Sequence, residues 1–257
     1  MYPILFSVNG FPIYSIWLAS VAGLGAVCAF LLARGRRFGI SRVDLTNAAA
    51  LGLVGAIAGG KALYLATALP ILWAARDILA RDTALLAQLL TSGMVFYGGL
   101  FGFLLAAQWY CLRYRVHARA FWDLTAPAIP LFHAFGRVGC FLNGCCHGRA
   151  CPTFGIPFTQ SLGSANGIPY FPIQLAEAAG NLFLFVVLAR FAWRHPGQGR
   201  TLPAYLAAYA LMRFILEFFR GDAVRGIWLG LSTSQWISLA ILAALAVRRC
   251  RSVRECV

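Results

Sequence analysis

Apolar runs dominate this chain, and several of them reach the roughly 20 residues that a helix needs to cross a bilayer. Only 12% of the 257 residues are charged, which is about half the share found in soluble domains. Because backbone polar groups inside lipid need partners within the segment itself, runs of this length predict transmembrane helices. The sequence therefore predicts an all-α, polytopic membrane protein in which residues 1–257 form a single transmembrane domain.

The net charge of +14 raises the question of a nucleic-acid partner, but the positions of the arginines argue against one. Many of them lie in four short clusters between apolar runs, as the positive-inside rule requires of cytoplasmic loops. Seven spans with the N-terminus outside and the C-terminus cytoplasmic satisfy all four clusters. The arginines of the first run follow it, so we expect an anchor and not a cleaved signal peptide. The predicted spans cover about 12–33, 45–69, 94–112, the stretch from Asp123, 173–193, 202–219 and 235–247.

Two segments outside the spans have a character of their own. Charged and apolar residues alternate at helical spacing over about 70–90. This spacing indicates either an amphipathic helix on the periplasmic membrane surface or an ordinary connector. Residues 149–172 are rich in Pro, Gly and Ser, so we expect a periplasmic loop there.

The stretch Asp123–Arg149 (DLTAPAIPLFHAFGRVGCFLNGCCHGR) starts as an apolar span and then breaks into Gly, Arg, Asn and Cys. Arg137 lies inside it, and an ionisable residue within an apolar span predicts a functional site. We expect Pro127 and Pro130 to kink the helix. Asp123 is expected to cap the start of its own span.

A second charged group follows helical spacing near the end of the sixth span. Arg213, Glu217 and Arg220 stand at i, i+4 and i+7, which predicts one shared helix face. Guanidinium groups suit phosphate because their fork donates two parallel hydrogen bonds. The group predicts either a phosphate site or a self-neutralising structural network, and Glu177 is expected to pair with an arginine across the bundle.

Four cysteines and a histidine fall within twelve residues, at Cys140, Cys145, Cys146, His147 and Cys151. Soft thiol and imidazole ligands suit a metal such as zinc, although the spacing matches no standard zinc pattern. An outward-facing position would equally allow a disulfide, and a nearby arginine would favour a reactive thiolate. The three alternatives are therefore a metal site or reactive thiolate, a disulfide, and tight packing without chemistry.

Lys61 in the second span and a glycine pair in the third span leave two interpretations each. Lys61 either snorkels to the interface or binds a lipid phosphate. Gly98 and Gly99 predict close packing against a neighbouring helix or against a substrate. Tyr97 beside them is typical of the interfacial aromatic belt.

The motifs, taken together, resemble a known family. The pattern D-x-x-A-P-x-x-P…G-R-x-G-x-F-x-N-G-x-x-x-G, from Asp123 to Gly148, is similar to the signature of bacterial prolipoprotein diacylglyceryl transferases. The other family motifs follow in order over nearly the whole chain. They are Tyr14, Gly-Gly-Lys-x-x-Tyr at 59–64, Phe-Tyr-Gly-Gly at 96–99, Pro-x-Gln-Leu-x-Glu at 172–177, Arg-x-x-x-Glu-Phe-Phe-Arg at 213–220 and Ser234-Gln235.

The resemblance implies a seven-helix enzyme of the bacterial inner membrane, without a cofactor, whose active site faces the periplasm. Such an enzyme moves a diacylglyceryl group from phosphatidylglycerol to the thiol of a lipobox cysteine in a preprolipoprotein signal peptide. A thioether forms and glycerol 1-phosphate leaves. The candidate catalytic residues are Arg137, Arg213, Glu217, Tyr97, Cys145, Cys146 and His147. The candidate substrate-binding residues are Tyr14, Lys61, Gly98, Gly99, Asn143, Gly148, Gln174, Glu177 and Arg220.

Three positions depart from the family pattern. Tyr97 stands where the family usually has a histidine, Cys140 replaces the first signature asparagine, and Cys145 replaces an acidic residue. The positions that the resemblance assigns to phosphate binding therefore match the family, whereas the positions that it assigns to activation of the acceptor carry different residues. The alternative is a divergent paralogue that uses Cys140, Cys145, Cys146 and His147 for thiol redox chemistry, metal binding or a different thiol acceptor.

Overall fold

The computed structural model of the chain describes residues 1–74, 95–161, 166–221 and 227–254. It is mostly helical and divides into two compact units, Met1–Phe38 with Trp122–Val257, and Gly39–Phe121. The α-helices are α1 Ser15–Arg34, α2 Arg42–Ala74, α3 Phe96–Arg113, α4 Ala118–Thr125, α5 Ala128–Asn143, α6 Ile173–Arg194, α7 Thr201–Glu217 and α8 Thr233–Arg254, and a 3-10 helix spans Gly35–Phe38.

The helical character predicted for the apolar runs is confirmed. Within the described ranges, three helices are long and apolar enough to cross a membrane, at Ser15–Phe38, Arg42–Leu69 and Ile173–Arg194. The chain is thus a helical polytopic membrane protein, while the number of seven spans stays a prediction. The predicted amphipathic segment at 70–90 lies largely outside the described residues, because the description stops at 74 and resumes at 95.

The prediction for the start of the fourth span is wrong in two respects. The helix does not kink at Pro127 but stops, since α4 ends at Thr125 and α5 begins at Ala128. Asp123 lies within α4, and its carboxylate accepts hydrogen bonds from the backbone N–H groups of Gly199 and Thr201 at 2.7 and 2.9 Å. It therefore satisfies the free donors at the beginning of α7 and not those of its own helix.

Within the described residues, three short antiparallel strand pairs were not predicted. The strand β1 (Ile4–Val8) pairs with β2 (Phe11–Tyr14) through Asn9 and Gly10, whose φ angles are +50° and +83°. This two-residue, positive-φ connection is the turn that matches strand twist. The other pairs are β3 (Ile156–Pro157) with β4 (Pro169–Tyr170) and β5 (Ile227–Trp228) with β6 (Leu231–Ser232).

In the unit Gly39–Phe121, glycines let α2 and α3 cross with their backbones in contact. A Cβ at Gly98 would lie 2.3 Å from the carbonyl oxygen of Gly59, and one at Gly102 would lie 2.0 Å from that of Gly55. Both helices thus carry small residues four apart on the contacting face. The close-packing interpretation of Gly98 is confirmed.

The other unit has two chemically distinct ends. At one end, the guanidinium groups of Arg34 and Arg37 lie 4.5 and 4.1 Å from the ring centre of Trp193, at the end of α6. The other end contains the first residues of α6 and the last turn of α5, where Tyr2 N–H donates to Leu142 O at 3.0 Å. Two predicted cytoplasmic arginine clusters therefore meet on one side of this unit. The apolar core between α6 and α7 lies between the ends, around Leu184, Leu188 and Tyr205.

Candidate functional site

A buried ion-pair network lies at the end of this unit that is opposite the arginine clusters. Its centre is Glu177, one turn into α6, whose side chain is 3% exposed. The carboxylate oxygen Oε1 accepts from Nη1 of Arg213 at 3.0 Å and from Nη1 of Arg220 at 3.1 Å. The second oxygen, Oε2, contacts Nε of Arg137 on α5. One carboxylate therefore gathers three arginines from three different segments, and the predicted pairing of Glu177 across the bundle is confirmed.

Glu217 adds a second carboxylate to the network. It contacts Nη2 of Arg213 at 2.5 Å, in the i, i+4 relation that the sequence predicted. The prediction that Arg220 continues this helix face is wrong, because α7 ends at Glu217. Arg220 instead forms an antiparallel backbone bridge with Gly148, which turns its side chain toward Glu177.

The network carries more positive than negative charge. Three guanidinium groups face two carboxylates, so its formal charge is +1, and each of the five side chains is at most 14% exposed. A buried charge without compensation is costly, and a low local dielectric strengthens its attraction for an anion. The arrangement therefore suits a singly charged anion that guanidinium forks can hold, such as a phosphodiester.

Backbone pairing fixes the outer loop against this network. Gly148 N–H donates to Phe171 O, and Arg149 N–H donates to Phe219 O, both at 3.1 Å. A Cβ at Gly148 would lie 2.6 Å from Phe171 O and 2.8 Å from Phe219 O. The glycine predicted to bind substrate thus permits three backbone segments to approach each other.

The cysteines follow the end of α5 in a tight turn. Gly144 takes a left-handed conformation (φ 73°, ψ 26°), and its N–H and that of Cys145 bond back to the last carbonyls of the helix. Cys146 also has a positive φ of 58°, which is uncommon for a residue with a side chain. These two reversals fold the chain back, so that the sulfurs of Cys140, Cys145 and Cys146 all lie within 4.8 Å of one another.

The described cysteines are free thiols, with no disulfide among them. Cys146 lies beyond the helix, where hydrogen bonds from the thiols of Cys140 and Cys145, together with the charge of Arg137, lower the pKa of its thiol. His147 is not part of the sulfur cluster. Its ring stacks on Tyr170 with centres 3.8 Å apart.

Gln174 connects the cysteine turn to the ion-pair network. Its Nε2 donates to the carbonyl of Cys145 at 2.8 Å, and it stands one helical turn before Glu177. The buried Oε1 of Gln174 and the buried Oδ1 of Asn143 have no hydrogen-bond partner within the described part of the protein. Buried polar atoms are normally paired, so these two oxygens lack the partner that a buried acceptor usually has.

Some predicted site residues lie elsewhere, and one contact was missed. Tyr14 precedes α1 and packs edge-on against Trp17, with ring centres 5.0 Å apart. Ser234 was not a candidate, yet its Oγ accepts from Nη2 of Arg213 at 3.4 Å. The Ser-Gln pair of the family pattern was the signal that could have identified it.

The remaining candidates belong to the unit Gly39–Phe121. Lys61 Nζ lies 5.0 Å from the ring centre of Tyr64 on the same helix, a distance typical of a cation–π contact. Gly99 lies in the first turn of α3 beside Gly98. The side chain of Tyr97 falls outside the described structure.

Comparisons with known proteins cover nearly the whole chain. A sequence model of the prolipoprotein diacylglyceryl transferase family matches residues 3–249. A phosphatidylglycerol–prolipoprotein diacylglyceryl transferase of Clostridium tetani is 33% identical over 242 residues, which is 93% of each chain. A second enzyme of that name, from Clostridium perfringens, is 33% identical over 93% of this chain and 91% of its own. That of Verminephrobacter eiseniae is 36% identical over 84% of this chain and 76% of its own.

Proposed function

The chain belongs to the prolipoprotein diacylglyceryl transferase family, and we propose that its buried arginine–glutamate network holds the phosphate of the lipid donor. The chain is a membrane transferase that moves a diacylglyceryl group to the cysteine of a prolipoprotein. Phosphatidylglycerol, which the relatives' names specify, is the donor. The acceptor in this proposal is the lipobox cysteine of a signal peptide.

The observation that carries the proposal is the single positive charge left over in the network. Phosphatidylglycerol has one negative phosphodiester, which matches this excess. Arg137 and Arg213 contact the phosphate through their forks and stabilise the charge that develops as glycerol phosphate leaves. Glu177 and Glu217 hold these arginines in place, and Arg220 is the third positive group around the phosphate.

The headgroup also has hydroxyl groups that need acceptors. The unpaired oxygens of Gln174, one helical turn before Glu177, and of Asn143, the last residue of α5, supply two such acceptors. They fit the glycerol hydroxyls of phosphatidylglycerol better than the ammonium group of an amino phospholipid, because the three arginines disfavour a second cation nearby. This donor preference is testable by comparing vesicles of phosphatidylglycerol with vesicles of phosphatidylethanolamine.

The main experiment replaces the two arginines. Full-length Arg137→Ala and Arg213→Ala are incubated with phosphatidylglycerol vesicles and a lipobox peptide, and diacylglyceryl peptide is measured by mass spectrometry. We expect transfer to fall about 10²–10³-fold, the usual loss when one donor to a developing oxyanion is removed. Arg213→Lys should recover little, because a point charge lacks the fork.

Arg190→Ala, which removes an exposed arginine of α6, is the matched control and should retain full transfer. Near-normal transfer in both site variants would exclude the network as the phosphate site.

We further propose a seven-span topology in the bacterial inner membrane, with the network toward the periplasm. The support is that the network lies opposite the arginine clusters that favour the cytoplasm. A topology reporter fused at Gly197 should be cytoplasmic, and one fused at Thr153 should be periplasmic. A cytoplasmic signal at Thr153 would contradict the placement of the site.

One observation favours a second candidate function, namely transfer to a different thiol acceptor. Three sulfurs cluster beside the network, and two of them, those of Cys140 and Cys145, stand where the family pattern has polar residues. The test offers phosphatidylglycerol with either the lipobox peptide or small thiols. Transfer to a small thiol at a higher rate than to the peptide would support the divergent function.

A further inference from the structure

We propose that Cys140, Cys145 and Cys146 bind one zinc ion as thiolates, and that the acceptor cysteine becomes its fourth ligand. The zinc site stands on its own geometry, whereas the identity of the fourth ligand rests on the proposed transferase function. Three protein ligands with one open position are the arrangement of catalytic zinc, while structural sites use four. The ligands are all sulfur, which selects a soft or borderline ion.

The local backbone preorganises the three sulfurs. Cys140 belongs to the last turn of α5, and the left-handed Gly144 ends the helix and reverses the chain. The positive φ of Cys146 gives the second reversal. A non-glycine residue in this conformation carries strain that the surrounding structure must offset, and such strain concentrates at functional sites. Without both reversals, sulfurs at this sequence spacing would not converge.

The distances are those of a site that closes on an ion. The three sulfurs lie within 4.8 Å of one another, while sulfurs that share a zinc at about 2.3 Å lie about 3.8 Å apart. Side-chain rotations that move each sulfur by about an ångström therefore bring all three within bonding distance of one zinc ion. All three cysteines are half-buried, so an ion and an incoming thiol can reach them.

The surroundings favour the negative charge of such a complex. Zinc with three thiolates has a net charge of −1. Arg137 stands three residues before Cys140 on α5, and Arg220 pairs through its backbone with Gly148, two residues after Cys146. The amide of Gln174 holds the Cys145 carbonyl at 2.8 Å, an outer contact that fixes the ligand-bearing turn.

A zinc ion would supply the activation that the rewritten positions lack. A thiol that binds the ion loses its proton to solvent, so that its sulfur becomes a nucleophile at neutral pH. The sulfur then bonds to the glyceryl carbon as the carbon–oxygen bond to phosphate breaks. Glycerol phosphate leaves with the electron pair, and the neutral thioether is a weaker ligand that departs.

The first test measures the metal directly. Full-length protein without a histidine tag is reduced, freed of metal with a chelator, and titrated with zinc alone, and bound zinc is counted by elemental analysis. Cobalt(II) serves as a coloured substitute, because thiolate ligands give it a charge-transfer absorption. We expect one ion per chain, and affinity at least about 100-fold weaker in Cys140→Ser, Cys145→Ser or Cys146→Ser.

Cys151→Ser is the matched control, since Cys151 is also half-buried but lies outside the cluster, and it should bind zinc like the unmodified protein. The absence of stoichiometric zinc in the reduced unmodified protein would overturn the proposal, whatever the folding of the variants. Equal binding by the three serine variants would overturn it as well. If the site prefers copper(I) and binds it without a fourth ligand, the proposal that the acceptor cysteine becomes a fourth ligand is wrong.

The second test separates the zinc site from the transferase function. A lipobox peptide should shift the cobalt absorption, and the same peptide with serine for its cysteine should not. The metal-free protein should transfer about 100-fold more slowly or worse, with recovery on adding zinc. Equal transfer without metal would overturn the zinc role and leave the transferase intact. A peptide-dependent spectral shift without any transfer would support the site and contradict the proposed function.

Discussion

Glu177→Gln removes one negative charge from the centre of the network and leaves a side chain of nearly the same shape. Oε1 is shared by Arg213 and Arg220 at 3.0 and 3.1 Å, while Oε2 contacts Arg137. An amide has one oxygen, so its NH₂ group must face a guanidinium. Keeping the oxygen toward the two arginines sends the NH₂ toward Arg137, which then loses its acceptor.

The size of the effect follows from burial. The formal charge of the network rises from +1 to +2, and the Glu177 side chain is only 3% exposed. Breaking a buried ion pair from one side costs about 3–5 kcal/mol of unfolding free energy. Transfer should fall about 10²-fold or more, because Arg137 is no longer held toward the developing charge.

The assay combines thermal unfolding in detergent with peptide transfer. Inorganic phosphate should stabilise Glu177→Gln more than the unmodified protein, since it meets a charge of +2. Arg137→Ala combined with Glu177→Gln should lose less stability than the two single changes added together. The control Asp44→Asn changes a helix-start carboxylate that pairs with Ser41, and it should cost about 1 kcal/mol without affecting transfer. Unchanged stability and transfer in Glu177→Gln would refute the assignment of Glu177 as the residue that organises the arginines.

Two further predictions concern the scaffold. Gly98→Ala places a Cβ 2.3 Å from Gly59 O, so unfolding free energy should fall by about 1–3 kcal/mol or more. Gly25→Ala, where an added Cβ meets no atom within 4 Å outside its own helix, should keep or slightly raise the unfolding free energy, and equal thermal midpoints of the two variants would contradict the close crossing. Asp123→Asn weakens the hydrogen bonds from the N–H groups of Gly199 and Thr201 and should lower the unfolding free energy by about 1–2 kcal/mol. The loss should appear as faster proteolysis near residues 195–200. An unchanged cleavage rate would exclude this capping role.

Local periodicity predicted the helices but not the geometry of the site. The contact between Arg213 and Glu217 could be predicted because both residues lie on one helix. Arg220 was misplaced because its position depends on a backbone bridge with Gly148, 72 positions away in the sequence. A pairing between distant segments has no counterpart in helical spacing, so the position of Arg220 could not be predicted from it.

The cysteine turn and the first hairpin show two different limits. Asn9-Gly10 is a readable hairpin signal, which the apolar character of the flanking residues concealed. The convergence of Cys140, Cys145 and Cys146 has no such signal, because it requires a positive φ at Cys146 that the residue type does not favour. The sequence therefore left three alternatives for the cysteines, and the backbone conformation adds that the three sulfurs converge.

Charge balance connects the network to the cysteine turn. The phosphodiester of the donor carries one negative charge, whereas a free phosphate monoester carries about 1.5 to 2 at neutral pH. A network of charge +1 therefore attracts the leaving phosphate more strongly than the donor, which favours bond cleavage but retards release of the product. The anionic zinc–thiolate centre proposed above would oppose this retention, because it would compete for the same positive charge. The rewritten cysteines would then serve both halves of the reaction, activating the acceptor before cleavage and promoting departure of the phosphate after it.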